Sequence, residues 1–177
     1  MFDIFIVEPT AERNYYTLVT SGMGAHRMNV PKELAEYKLE RAEIVVYLPA
    51  DWNISDHEEK NYWPLRWLKI LARLPLEEDS WLGWGHSVPN GKPFAENTQL
   101  SSVLLINPEN VEEGAAVCQL PNGEEVNFYQ MIPLYEEEVN FKIQNGAETL
   151  LGKMGEISAV VDIHRLNVCE GFGRPKE

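Results

Sequence analysis

The sequence predicts an α+β domain with a mixed, mainly antiparallel sheet flanked by helices. Three observations carry this. Short β-branched and aromatic runs follow one another through turn signals, so strands are joined as hairpins and not by helical crossovers. One segment, Trp63 to Leu74, has a clear helical apolar period. A second, more broken helical stretch follows Glu136.

The elements follow in order. Residues 2–8 place Phe2, Ile4 and Ile6 on one face and Phe5 and Val7 on the other, which predicts a strand covered on both faces. Polar Thr10–Asn14 turns the chain, and Tyr15–Thr20 is a second strand pairing as a hairpin. Ser21-Gly22-Met23-Gly24 breaks the pattern; its glycines permit positive φ or close backbone approach. No Lys-Ser/Thr follows and no helix opens there, so it is not a phosphate loop. Lys32–Lys38 reads as a short helix or a loop. Arg41–Leu48 is a third strand, ended by Pro49.

Asp51–Lys60 reads as a charged linker. In the helix that follows, Trp63, Trp67, Ile70, Leu71 and Leu74 share one face. Pro64 is tolerated near the first turn, and Pro75 is expected to stop the helix. Trp63 and Trp67 read as core.

Ser101–Ile106 is a fourth strand. Ala115–Leu120 and Glu125–Leu134 flank Pro121-Asn122-Gly123, a strong hairpin signal. Glu136–Phe141 leads into a helix that Asn145-Gly146 interrupts and Ala147–Met154 resumes. Val160–His164 reads as a short last strand. The expectation is one domain over 1–170 and a flexible Gly/Pro/charged tail over 171–177.

Bulk properties narrow the function. Lys+Arg is 15 and Asp+Glu is 28, for a formal charge of −13. No basic stripe is available for phosphate contacts, so nucleic acid is not the expected partner. An anionic membrane surface is disfavoured for the same reason. A basic protein would be steered toward this surface, although negative charge also serves solubility alone. No run of 18 apolar residues exists, and the start lacks a basic n-region and a cleavage site. Two cysteines, Cys118 and Cys169, without an export signal point to a reducing, cytoplasmic compartment and free thiols.

Residues 79–98 stand apart. They carry three glycines, two prolines, two tryptophans, a histidine and two asparagines without periodicity. Long irregular loops are commonly functional, and aromatics beside polar groups make a recognition surface. Trp81, Trp84, His86, Asn90 and Asn97 are therefore candidate partner-binding residues, with a loop packed over the sheet as the alternative. Glu136 and Glu137 are added as a docking face for a basic partner; simple solvation is the alternative.

Catalytic patterns are weak. His26, His57, His86 and His164 lack partners at metal-ligand spacing. Asp162 and His164 would share a strand face, which usually means a structural pair. There is no Gly-x-Ser-x-Gly elbow, and neither cysteine has a local catalytic signature. Nothing in Glu124-Glu125 or Glu136–Glu138 identifies a glycosidase pair. No enzyme, metal or cofactor is expected from the residues.

YYTLVTSGMGAHRMNVP (15–31), RAEIVVYLP (41–49), NYWPLRWLKILARLP (61–75), WLGWGHSVPNGKPFAENT (81–98) and NFYQMIPLYEEEVNFKIQNGAETLL (127–151) together resemble the suppressor of fused domain. The blocks run in order through nearly the whole chain and resemble the compact bacterial members more than the two-domain animal protein. The chain starts late relative to the family, which usually has an upstream helical segment. The resemblance implies binding without catalysis or cofactor. The animal member sequesters Gli-type transcription factors by strand addition, and bacterial relatives include immunity proteins that neutralise polymorphic toxins. The expected function is thus protein binding or sequestration, as of a basic toxin. An enzyme built around His86 and an oligomerisation module, for instance a homodimer through edge strands, stay open as alternatives.

Overall fold

The computed structural model describes residues 2–155 and 159–173. The strands are β1 (Asp3–Val7), β2 (Tyr15–Ser21), β3 (Ala42–Pro49), β4 (Ser87–Pro89), β5 (Ser102–Ile106), β6 (Val117–Gln119) and β7 (Glu125–Leu134). The helices are α1 (Glu59–Glu77), α2 (Glu136–Asn145) and α3 (Ala147–Met154), and Lys32–Tyr37 is a 3₁₀ turn. The strands form one sheet in the order β1-β2-β3-β7-β5-β4, with β6 pairing β7. Among the pairs of these strands, in the described residues, only β3–β7 is parallel. The fold is the mixed, mainly antiparallel α+β sheet that the hairpin signals predict.

Strand β5 shows why the sheet is layered. Its residues are all buried, and they alternate between two cores. Val103 and Leu105 join the core with α1, while Leu104 and Ile106 join the core with α2 and α3. In the first core, Trp63 stacks on Phe94 at 4.6 Å and Trp67 meets the same ring edge-on at 5.2 Å. Both tryptophans are core residues, as their helical spacing predicts.

Four expectations are corrected. β1 is not covered on both faces: it is an edge strand, and Phe5 is 62 % exposed. Apolar alternation reports which faces are apolar, not whether a neighbour covers them. Helix α1 begins inside the supposed linker, at Glu59; in the turn before it the Asp56 carboxylate accepts the Glu58 N–H (2.9 Å) and the Asn61 Nδ2–H (2.7 Å). Pro75 does not stop α1, which runs two residues further; a proline one turn from the end removes only one interior bond. Finally, Val160–His164 is not a strand. Val160 makes a single parallel bridge to Tyr47, and the Asp162 carboxylate then accepts the His164 N–H at 2.9 Å in a turn.

Pro64 is accommodated differently. It cannot donate to the Lys60 carbonyl, and Asn97 Nδ2 donates to that carbonyl instead, at 3.4 Å. The two cysteines are free thiols, Cys118 exposed and Cys169 buried. Of the expected tail, 174–177 lie outside the described residues, while the Phe172 ring meets Phe141 at 5.1 Å. Among the described residues no helix is long and apolar enough to cross a membrane.

The Ser21–Gly24 break brings the backbone close to β7. A Cβ on Gly24 would lie 2.8 Å from Val126 Cγ1 and 3.3 Å from Glu43 Oε1. Gly24→Ala is therefore expected to cost about 1–3 kcal/mol in urea unfolding, as overpacking does. A variant as stable as the parent would show that the turn yields freely.

A candidate protein-binding groove

Helix α2 opens with Glu136-Glu137-Glu138, and the three carboxylates do different things. Glu138 is fully buried and points inward. It accepts two bonds from the Arg165 guanidinium, 2.6 Å from Nη1 and 2.5 Å from Nη2. It also accepts the backbone N–H groups of Val168 (3.1 Å) and Tyr135 (3.0 Å). Arg165 lies over the Tyr135 ring at 5.0 Å. This ion pair ties the segment after residue 164 to the start of α2.

The tie leaves a groove of about 740 Å³ between that segment, the outer face of α2 and the Pro89–Pro93 turn. Glu136, Glu137 and Glu170 line it, and Glu137 accepts a bond from Asn167 Nδ2 at 3.0 Å. Its apolar lining includes Ile143, 70 % exposed, and Leu166, 85 % exposed. Lys92 and Arg165 are its cations, and Arg165 is already neutralised by Glu138. The groove is thus acidic with apolar patches, which suits a segment that is basic and amphipathic.

The sequence-predicted residues do not converge on one spot. Glu136 and Glu137 line the groove. Asn90 builds the turn at its rim: its Nδ2 donates to the Lys92 carbonyl at 2.7 Å, and its N–H to the Ser101 carbonyl at 2.8 Å. Trp81 and His86 lie outside the groove, half-buried and packed on each other edge-on at 4.3 Å. Burial pushes the His86 imidazole below its ordinary pKa; a backbone hydrogen bond with Trp81 opposes this, and the Lys142 charge adds to it. Lys142 Nζ donates to Ser87 Oγ at 3.2 Å, and burial lowers its pKa as well. Trp84 lines a separate pocket near the end of α3. Asn97 serves the α1 backbone, as described. Asp162 and His164 lie in a turn and not on a strand, and no group of three or more potential metal ligands exists among the described residues.

Sequence reasoning missed Arg165, Leu166, Asn167 and Glu170. They lie in a segment without periodicity, and the one available signal is a lone arginine between Asp162 and Glu170, downstream of the acidic run.

A family model described as Suppressor of fused protein (SUFU) matches residues 1–166. The chain is 27% identical over 165 residues to an uncharacterized Ureaplasma parvum protein, covering 93% of this chain and 78% of that one. Its fold is similar to that of a SUFU homolog from Neisseria gonorrhoeae, with a TM-score of 0.67 and 21% identity over 94% of this chain and 78% of the other. A chain of the Sufu-Fu complex gives a TM-score of 0.64 at 15% identity, over 94% of this chain and 76% of that chain. Suppressor of Fused from Drosophila gives the same TM-score and identity, with 94% of this chain matching 42% of that longer one.

Proposed function

From the premise that this chain belongs to the suppressor of fused family, we propose that it is a protein-binding domain that sequesters a basic partner in the α2 groove. The observation that carries the reading is the groove's composition: Glu136, Glu137 and Glu170 beside exposed Ile143 and Leu166. The family is a protein-interaction family, and Sufu is known in a complex with Fu, which supports a protein as the ligand. An excess of 28 acidic over 15 basic residues supports a basic one. Stoichiometric neutralisation of a basic toxin domain is the form of sequestration that fits best, because inhibition by occlusion needs no chemistry from the binder. The protein does this work inside the cell.

The experiment is capture of partners on immobilised protein, at low and high salt, compared with Glu136→Lys/Glu170→Lys. Both carboxylates are exposed, so the fold tolerates the change. A basic protein held at low salt is expected to bind about tenfold more weakly to the double variant, with the difference shrinking at high salt as charges are screened. Equal retention by parent and variant would remove the groove from the reading.

A further inference from the structure

The pocket beside Trp84 is distinct from the groove. Strand β5 separates them: Ser102 lines the groove and Ile106 lines the pocket, about 13 Å apart along an extended strand. The pocket holds about 350 Å³. Ile106, Ile132, Leu151 and Met154 form its apolar side, and Asn107 and Glu109 its polar side. Trp84 is 40 % exposed and sits in a tight turn, where His86 N–H donates to the Gly83 carbonyl at 3.1 Å and Gly85 N–H to the Leu105 carbonyl at 2.7 Å. Glu109 is the ionisable residue of the lining. Its backbone is fixed from both sides: its N–H donates to Gln130 Oε1 and its carbonyl accepts from the Tyr47 hydroxyl, each at 2.9 Å. Its side chain joins no ion pair among the described residues.

No cation pairs with this carboxylate among the described residues, although the Arg13 and Glu109 charges both reach the Tyr47 hydroxyl. Between Lys92 and Lys142 the chain contains no lysine or arginine, while Glu112 and Glu113 follow Glu109 in the same exposed loop. A pocket with one apolar side, an exposed indole and an unpaired carboxylate matches one kind of side chain. Such a side chain has a long aliphatic stem for the walls and a cationic head for the indole face and the carboxylate.

We infer that the Trp84 pocket receives a single lysine or arginine side chain of the protein partner, as an anchor outside the groove. This rests on the reading of the chain as a binder of a basic protein and adds a second contact to it. Two contacts on one partner would also multiply, since the second forms at high effective concentration.

The test uses the full chain labelled with 5-fluorotryptophan, with the Trp84 resonance assigned by its loss in Trp84→Phe. N-acetyl-arginine amide is titrated, and N-acetyl-norleucine amide serves as a neutral match for the stem. The arginine amide is expected to move the Trp84 resonance saturably, and norleucine amide to move it weakly. Glu109→Gln is expected to weaken the arginine response about fivefold, the worth of a partly exposed charge pair. An equal response to both amides, no response, or the same response at every indole would each overturn the inference. So would a Trp84 shift driven by protein concentration alone, which would put a second copy of the chain in the pocket. The amides read the pocket by itself. Their failure would leave the groove standing, and failure of the groove variant would leave the pocket standing.

Discussion

Glu138→Ala is expected to lower the unfolding free energy by about 3–5 kcal/mol, because removing one partner of a buried pair leaves the other charge without compensation. The Arg165 side chain is 9% exposed and the Glu138 side chain 0%. In the variant the guanidinium keeps only the carbonyls of Pro133 (2.8 Å) and Leu166 (3.0 Å). The N–H groups of Val168 and Tyr135 lose their acceptor as well. Urea unfolding measures the loss, and an unchanged denaturant slope would show that stability changed without a change in the surface exposed on unfolding. Glu138→Leu combined with Arg165→Met should be milder than Glu138→Ala alone, since no buried charge is stranded. A double variant worse than the single one would mean that the pair contributes more than its mutual neutralisation.

The same substitution tests the site. Arg165–Glu170 forms one side of the groove, and Glu138 holds that segment to α2. Under conditions where Glu138→Ala is still folded, partner binding should fall with it, although Glu138 does not line the groove. Unchanged binding would show that the segment keeps its place without the ion pair.

Glu138 also marks the limit of what local sequence reveals. The hairpins and the break between α2 and α3 were readable because they depend on neighbours: an Asn-Gly turn, a two-residue alternation, a glycine that leaves the helix at Gly146 with φ of 91°. The fate of Glu136-Glu137-Glu138 depends on a partner 27 positions away, and charge composition alone made all three look alike. The same holds for α1. Its apolar period marked the helix, but the turn that Asp56 ties before it and the Asn97 bond to the carbonyl that Pro64 leaves free both depend on side chains outside that period. The candidate site was partly legible for this reason. Its acidic side lies in one run, whereas Leu166 and Glu170 reach the groove only through the tertiary tie to Arg165.

Glu43→Ala is expected to cost about 3–5 kcal/mol, by a different route. Glu43 lies on β3, 7% exposed, within a strand that is otherwise apolar. No cation pairs with it among the described residues. Its charge is held by directed hydrogen bonds: Gly22 N–H and Gly24 N–H donate to Oε1, each at 2.9 Å, and the Thr20 hydroxyl donates to Oε2 at 2.5 Å. The Thr20 oxygen in turn accepts the Ile44 N–H at 2.8 Å. Arg41 grips the other side of the same turn, with Nη1 donating to the carbonyls of Gly24 and Ala25, each at 2.9 Å, while Glu124 accepts from its Nε at 3.1 Å. The glycines of the Ser21–Gly24 break thus wrap a buried carboxylate, which is why the turn cannot be read as a phosphate loop: its N–H groups already hold an anion from β3. Alanine at 43 would leave the glycine N–H groups without an acceptor, at about 1–3 kcal/mol each, and release the Thr20 hydroxyl. Glu43→Gln should cost less, because its amide oxygen still accepts from the turn. Hydrogen exchange gives the local readout: the Gly22 and Gly24 amides should lose protection in Glu43→Ala well before the β5 amides do. If those amides stay protected and urea unfolding shifts by under about 1 kcal/mol, the turn is held by Arg41 and the strand ladder instead.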